Sequence, residues 1–284
     1  MKLDKFQEQI FFSTVRITIP SKTGSGASIG TGFLFSAPLN EPKNRYVILL
    51  ISNRHVYGDA TQPIILNFHK IKPDGSGPEL GQTVTLQDRQ FTGIYTGHPD
   101  FDVDLACINI SVIARPERNI FYKHLYPEML SDFSEDNLLP GADVWFIGYP
   151  ENRFDTTHNL PILRRGFIAS IPTVDFNAKK QFVIDAQVFP GSSGSPVFTA
   201  LGGKFKLLGV VTETMVRNEQ LQAVPTGVAL GAQQILGLGI VIKATVVKEL
   251  IDHVTKKIKV LLEKEEGEPV TEEPDRNGHK HASR

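Results

Sequence analysis

Short apolar runs follow one another along most of this chain, separated by glycine, proline and polar residues. Residues 15–19 alternate between apolar and polar side chains, which is typical of a strand with one buried face, and residues 46–51 form a continuous apolar run. The further runs lie at 30–35, 64–69, 83–87, 91–95, 105–110, 144–147, 166–170, 181–188, 197–198, 207–212 and 238–242. Many short strands joined by polar turns predict an all-β barrel or sandwich.

One long helical pattern follows these strands. Apolar residues recur at three- and four-residue steps through 246–262, and Thr245 stands before them as a candidate N-cap. From 263 to 284 the chain is polar and charged without a core-forming pattern, which predicts a disordered tail. Residues 111–140 lack strand periodicity and predict an irregular connection between two halves, with one helical turn.

Charge and composition exclude several classes of function. The 284 residues carry a formal net charge of -1, so the basic excess that binds nucleic-acid phosphates is missing. No apolar run reaches the roughly 18 residues of a membrane span, and the first residues, with Asp4 and Glu8, do not resemble a signal peptide. The single cysteine, Cys107, cannot form an internal disulfide and fits a reducing compartment. We therefore predict a cytoplasmic protein that binds neither nucleic acid nor membranes.

A Gly/Ser-rich segment, residues 185–197, carries the candidate chemistry. Ser193 lies between Gly191 and Gly194, in a turn where small residues let the backbone approach a ligand closely. Such a turn can direct the amides of Gly191 and Ser193 at one point, as an oxyanion hole requires. A serine hydroxyl is a poor nucleophile until a neighbouring base accepts its proton, so Ser193 needs a histidine from elsewhere in the chain.

Three segments resemble the motifs of trypsin-like serine peptidases. Residues 191–196 (Gly-Ser-Ser-Gly-Ser-Pro) resemble the family's Gly-Asp-Ser-Gly-Gly-Pro motif, and residues 185–197 are most similar to its form in the HtrA (DegP-like) branch. Residues 52–56 resemble the histidine motif and residues 104–110 the aspartate strand. The chain order His, Asp, Ser is that of chymotrypsin-type enzymes, whereas α/β-hydrolases have the order Ser, Asp, His.

The resemblance implies a fold and a catalytic triad. The expected fold is two six-stranded antiparallel β-barrels of chymotrypsin type with a C-terminal α-helix, divided into 1–125, 126–262 and the tail 263–284. His55 is expected to act as the base, Asp104 to orient it, and Ser193 to attack the substrate carbonyl, with Gly191 and Ser193 forming the oxyanion hole. The implied function is that of a serine endopeptidase that acts on peptides or proteins. The chain is expected to lack the PDZ domain of typical HtrA proteins. The alternative is a catalytically inactive relative that binds an extended peptide or a partner protein.

Other residues compete for, or are excluded from, these roles. Asp100 and Asp102 are alternatives to Asp104, which is preferred because an apolar strand follows it directly. The remaining histidines lack metal-ligand spacing, so no metal and no cofactor is expected.

The resemblance also implies where a substrate binds. The expected pocket walls are Gln187, Val188, Thr212, Glu213, Thr214 and Ile240. No carboxylate stands six residues before Ser193, where trypsin has one, so we expect a preference for uncharged side chains. The substrate backbone is expected to pair with the edge near residues 211–215.

Two serines depart from the family motif, and one segment suggests an assembly. Ser192 replaces the aspartate that pairs with a freed N-terminus in secreted trypsins, so activation by cleavage at the start of the chain is not expected. Ser195 replaces a glycine and would be strained if that position required a positive φ. The N-terminal apolar residues could form contacts between copies in a homo-oligomer, as in relatives of the HtrA type; they are Phe6, Ile10, Phe11 and Phe12.

Overall fold

Strands dominate the fold and form two sheets, one in each half of the chain. The computed structural model describes residues 3–22, 26–40, 45–88, 91–114, 116–223 and 228–267. The sheets carry the apolar runs identified in the sequence, and a helix follows the last strand. The expected mostly-β architecture with a C-terminal helix is therefore confirmed.

The N-terminal sheet has eight antiparallel strands in the order β5-β4-β1-β2-β3-β7-β6, with β8 paired to β4. Their bounds are β1 Thr14–Pro20, β2 Ala27–Asn40, β3 Arg45–Ser52, β4 Ile64–Ile71, β5 Pro78–Asp88, β6 Tyr95–Gly97, β7 Ala106–Asn109 and β8 Ile120–Phe121. Within the described residues no ladder joins β5 to β6, so this sheet is open. The six-stranded closed barrel expected for this half is not what the structure shows.

The short β6 explains this correction. A strand over residues 91–95 was expected, but the amide of Ile94 donates to the carbonyl of Phe91 in a turn, and the strand begins only at Tyr95. The strand β6 then pairs with β7 along its three residues. The other edge of this three-residue strand pairs with no further strand among the described residues, so the sheet stays open there.

The C-terminal sheet is a closed six-stranded barrel in the order β10-β11-β14-β13-β12-β9, as expected for this half. Its strands are β9 Asp143–Gly148, β10 Ile162–Ile168, β11 Gln181–Asp185, β12 Pro196–Leu201, β13 Lys204–Ala223 and β14 Val228–Lys243. The inward-facing side chains of Phe146, Phe182 and Val241 are buried in its core. Closure leaves the barrel without a free edge except where single strands extend past their neighbours.

Among the described residues, three α-helices accompany the sheets: α1 (Phe6–Ser13), α2 (Arg54–Tyr57) and α3 (Ala244–Gly267). The first was not anticipated from the sequence. Because α3 begins at Ala244, Thr245 lies inside it and is not the N-cap. The same helix includes residues 263–267, which corrects the start of the expected disordered tail, while 268–284 lie outside the described residues. No helix in the described ranges is long and apolar enough to cross a membrane.

A shared apolar core joins the two halves beneath the cleft. Phe33 and Leu49 of the N-terminal sheet belong to the same buried cluster as Phe198 and Val210 of the barrel. Helix α3 contributes to it with Val246, Val247, Leu250, Ile251 and Val254. Burial of this surface in both halves fixes the cleft between them.

The N-terminal apolar residues pack within their own chain. Ile10 and Phe12 are buried. The ring of Phe6 stacks on Phe205, with 4.4 Å between ring centroids, and meets Phe198 edge-on at 5.1 Å. These three side chains are thus already engaged inside one chain, and a homo-oligomer through this segment stays a prediction.

Candidate active site

His55 lies just past the end of the buried strand β3. Asn53 is extended, and the short helix α2 begins at Arg54, so the chain turns sharply where the strand leaves the sheet. The side chain of Asn53 is buried and donates to the carbonyl of Asp104 at 2.9 Å. This bond ties the histidine turn to the start of the aspartate strand and leaves the His55 ring half exposed at the cleft.

Asp104 and His55 are joined by two hydrogen bonds. The carboxylate accepts from the backbone amide of His55 at 3.0 Å and lies 2.6 Å from Nδ1 of its ring. Oδ2 also accepts from the hydroxyl of Thr212 at 2.9 Å. Burial acts to raise the pKa of Asp104, but the bonds from His55 and Thr212 outweigh it and lower the pKa below its ordinary value. An ionised carboxylate can only accept, so the Nδ1 proton belongs to His55 and Nε2 is left as an acceptor.

The two competing carboxylates are placed differently. Asp100 and Asp102 are exposed, and Oδ1 of Asp100 accepts the backbone amide of Asp102 at 2.9 Å. Of the three candidates, it is Asp104 that contacts the His55 ring. Asp104 is the carboxylate that directly precedes the apolar run containing β7, the pattern for which it was preferred in the sequence.

Ser193 lies in the turn between the end of β11 and the start of β12. Gly191 and Gly194 take positive φ values of 87° and 86°, the left-handed region that favours glycine. A Cβ on Gly194 would collide with the carbonyl oxygen of Thr31 and the hydroxyl of Ser52, so the turn also needs glycine there for space. The hydroxyl of Ser193 donates to the carbonyl of Thr212 at 3.3 Å. Because a hydroxyl has one proton, Ser193 does not donate to His55 in this rotamer.

The amides of the turn alternate between bonded and free. The Ser192 amide donates to Phe189 at 2.9 Å and the Gly194 amide to Val211 at 2.9 Å. In the described part of the chain, the amides of Gly191 and Ser193 donate to no backbone carbonyl. These are the two groups that the sequence assigns to an oxyanion hole.

The two unusual serines are both buried. Ser195 does not have a positive φ, since the left-handed positions of the turn fall on the two neighbouring glycines. The strain considered for it therefore does not arise. The hydroxyls of Ser192 and Ser195 are buried and find no hydrogen-bond partner among the described residues.

The expected pocket residues differ in their burial and in what they contact. Val188 is buried beside Gly239, and its carbonyl accepts from the hydroxyl of Thr214 at 2.8 Å. Glu213 lies opposite Ile240 in the pairing of β13 with β14. Gln187 is exposed. Thr212 is buried and points at Asp104 instead of lining a pocket wall.

Sequence reasoning missed two threonines that bond site residues. Thr212 was expected only as a wall, and Thr31 was not singled out. The hydroxyl of Thr31 donates to the carbonyl of Gly191 at 2.8 Å, although 160 positions separate the two residues. Such a contact leaves no local signal in the sequence. No group of potential metal ligands occurs among the described residues.

Comparisons with known proteins give one family match and several structural ones. The model of the trypsin-like peptidase domain family matches residues 30–210. Among curated proteins, no sequence matches this chain.

The solved structures that match this chain include three proteases. The serine endoprotease from Yersinia pestis is 18% identical with a TM-score of 0.49 and covers 89% of this chain, which spans 66% of that protein. The Rv3671c protease from M. tuberculosis in its active form is 18% identical with a TM-score of 0.46, covering 86% of this chain and 81% of its own. The catalytically inactive tobacco etch virus protease complexed with substrate is 10% identical with a TM-score of 0.48, covering 90% and 87%.

Proposed function

The chain belongs to the family of trypsin-like peptidase domains and is by that membership a serine endopeptidase, and we propose that it cleaves peptide bonds through an acyl-enzyme formed on Ser193. The observation that carries this proposal is the contact of 2.6 Å between His55 Nδ1 and the Asp104 carboxyl group, whose pKa the same bond lowers. It fixes the His55 tautomer in which Nε2 can accept a proton.

The proposed reaction has two stages. In the first, Ser193 Oγ bonds to the carbonyl carbon of the substrate while its proton passes to His55 Nε2. The tetrahedral intermediate collapses when the carbon–nitrogen bond breaks and His55 returns the proton to the leaving amine. In the second, water attacks the ester and gives a proton to His55, which passes it to Ser193 Oγ as the acid product leaves.

Ser193 must turn before the first stage. Its hydroxyl donates to the carbonyl of Thr212, and Thr212 also bonds Asp104 through its own hydroxyl. A rotation about the Cα–Cβ bond of Ser193 is the change needed to direct Oγ toward the cleft, and such rotations of partly exposed side chains are fast. The amides of Gly191 and Ser193 then stabilise the negative oxygen of the tetrahedral intermediate.

An unpaired stretch of β13 supports the expected binding mode for the substrate backbone. The ladder between β12 and β13 ends at Val210, whereas β13 continues past it paired with β14 alone in the described ladders. Val211 still bonds Gly194 and Ser195, so within the expected segment 211–215 the edge left to accept an extended peptide as an added strand lies at residues 213–215. Gln187, neutral and exposed, stands where a charged pocket residue would select a charged side chain, which supports a preference for uncharged ones.

Hydrolysis of a fluorogenic peptide library tests the proposal. We expect cleavage after uncharged side chains in the wild type and loss of turnover by about 10⁶-fold in Ser193→Ala, as for nucleophiles of other serine proteases. The control is Ser76→Ala, which removes a serine from an exposed turn and should cleave as the wild type does. Residual turnover in Ser193→Ala equal to that of the wild type would rule the mechanism out, and cleavage mainly after Lys or Arg would refute the specificity.

A further inference from the structure

The carbonyl groups of residues 190–193 are all held by hydrogen bonds, so the turn around the nucleophile is fixed at each peptide group. Two of the four donors come from residues within the barrel half, and the other two come from one residue of the N-terminal sheet. The pairs are Pro190 O with Glu151 N at 2.6 Å, Gly191 O with Thr31 Oγ1 at 2.8 Å, Ser192 O with Ser195 N at 3.0 Å, and Ser193 O with Thr31 N at 2.9 Å.

Fixing these carbonyls also fixes the amides. In a planar trans peptide the N–H points opposite to the C=O, so each anchored carbonyl sets the direction of the amide that follows it. The amides of Gly191 and Ser193 belong to the peptide groups anchored at Pro190 and Ser192. The two groups anchored by Thr31 alternate with them, so each proposed oxyanion donor is followed directly by a peptide group that Thr31 holds.

The hydroxyl of Thr31 is itself held in place. Thr31 lies on β2 and is completely buried. Its Oγ1 accepts from the backbone amide of Tyr149 at 3.1 Å while donating to Gly191. Its carbonyl accepts from Ser52 Oγ at 2.6 Å, three positions before His55. The hydroxyl therefore uses both its donor and an acceptor position, which sets its rotamer without help from solvent.

Close packing around Thr31 leaves no room for an alternative arrangement. A Cβ on Gly148 would approach Thr31 Oγ1 to 2.6 Å and its methyl carbon to 3.2 Å. A Cβ on Gly194 would collide with the Thr31 carbonyl. Both glycines are thus required for the approach of the barrel to this one residue of the opposite half.

We infer that Thr31 is a positioning residue, whose hydroxyl and amide hold the turn at residues 191–193 in the conformation that directs both oxyanion donors into the cleft. The inference rests on the proposed function, because a hole has a role only if Ser193 forms a tetrahedral intermediate. Thr31 acts through Gly191 and Ser193 and does not contact the substrate.

The test compares Thr31→Val, which keeps the side-chain shape and removes the hydroxyl, with Thr31→Ser, which keeps the hydroxyl. Thr31→Val leaves the carbonyl of Gly191 unpaired, so the turn relaxes away from its fixed geometry. We expect kcat to fall about 10²-fold with little change in KM, as for a small misplacement of catalytic groups. Affinity for a peptide boronate, whose tetrahedral adduct places an oxygen in the hole, should fall by the same factor. Thr31→Ser should restore both values to within a few-fold of the wild type.

Thr199→Val is the matched control. The hydroxyl of Thr199 is buried on β12 and donates to the carbonyl of Asp143 at 2.8 Å, so its loss removes the same kind of bond away from the cleft. This variant should lose stability, although less than Thr31→Val, which also leaves the Tyr149 amide unpaired, while keeping kcat. If circular dichroism shows that Thr31→Val does not fold, Thr31→Ala takes its place, since it removes the hydroxyl without adding a methyl group there.

The outcomes separate this inference from the proposed function. If the wild type neither cleaves peptides nor binds the boronate, the proposed function fails and this inference fails with it. If the wild type does both and folded Thr31→Val matches it, or if Thr199→Val loses as much kcat, Thr31 has only a structural role and this inference alone is overturned.

Discussion

The two halves of the molecule hold their parts of the site in different ways. In the open N-terminal sheet, His55 and Asp104 bond each other directly, and the neighbouring Asn53 bonds the Asp104 backbone. In the closed barrel, the turn at Ser193 depends on bonds that cross between the halves, chiefly from Thr31. The two bonds that join the acid–base pair lie within one half, with a further bond from Thr212 of the barrel, whereas the geometry of the nucleophile depends on the fit of both.

This difference between the halves explains why the C-terminal sheet is closed into a barrel while the N-terminal sheet is open. The barrel strands β12 and β13 pair with each other beside the turn that carries Ser193, and β12 also pairs with β9 and β13 with β14, which limits the movement of the turn. The His55–Asp104 pair needs only the ladder between β3 and β7 beside it. An open sheet is sufficient for a pair that two direct hydrogen bonds already hold.

Among the variants that test this comparison between the halves, Asp104→Asn should have the largest effect on kcat. The neutral amide no longer stabilises the proton on Nδ1, so His55 adopts the wrong tautomer, and kcat should fall about 10⁴-fold while the fold persists. Steady-state kinetics with a fluorogenic peptide measures it. Asp102→Asn, at an exposed neighbouring carboxylate, serves as the control and should keep the activity of the wild type. A loss of equal size in both variants would contradict the assignment of Asp104.

A smaller effect is expected where the halves meet at Thr212. Thr212→Val removes a hydrogen bond to the Asp104 carboxylate. A hydrogen bond to a charged group is worth about 1.5–3 kcal/mol. Because the bonds from His55 remain and keep part of this stabilisation, kcat should fall by roughly tenfold.

The same variant should also change the titration of Asp104. The Thr212 hydroxyl is one of the groups that lower the Asp104 pKa, so without it the carboxylate takes up a proton at a higher pH than in the wild type. NMR titration of the Asp104 carboxyl carbon measures the shift, with Thr199→Val as the control. An Asp104 pKa in Thr212→Val that equals or lies below that of the wild type would show that the bond from Thr212 does not stabilise the charged form.

The sequence offers the candidate residues of the site but not the hydrogen bonds that support them. Ser193, His55 and Asp104 stand in short motifs next to apolar strands, and those local patterns are visible without a structure. The strand content followed from such local patterns, and the barrel of the second half was implied by the resemblance to trypsin-like peptidases. The open first sheet did not, because closure depends on whether the three-residue β6 can reach another edge.

The hydrogen bonds from Thr31 and Thr212 could not be predicted from the sequence either, because they too depend on contacts between distant parts of the chain. Each threonine sits in an ordinary strand and contacts a residue more than 100 positions away. A hydroxyl in a strand is compatible with many roles, and only the packing of the halves selects one. The sequence did not predict helix α1 because its apolar residues pack in two directions. Phe6 contacts the barrel and Phe12 contacts the N-terminal sheet, so the apolar residues do not line one face of the helix.

The most direct test of the central claim, that His55 activates Ser193 across the cleft, is labelling of the folded protein with a fluorophosphonate probe. We predict that the wild type is labelled on Ser193 and that both Ser193→Ala and His55→Ala lose the label. A folded wild type that resists the probe, or a His55→Ala variant labelled as fast as the wild type, would contradict the account.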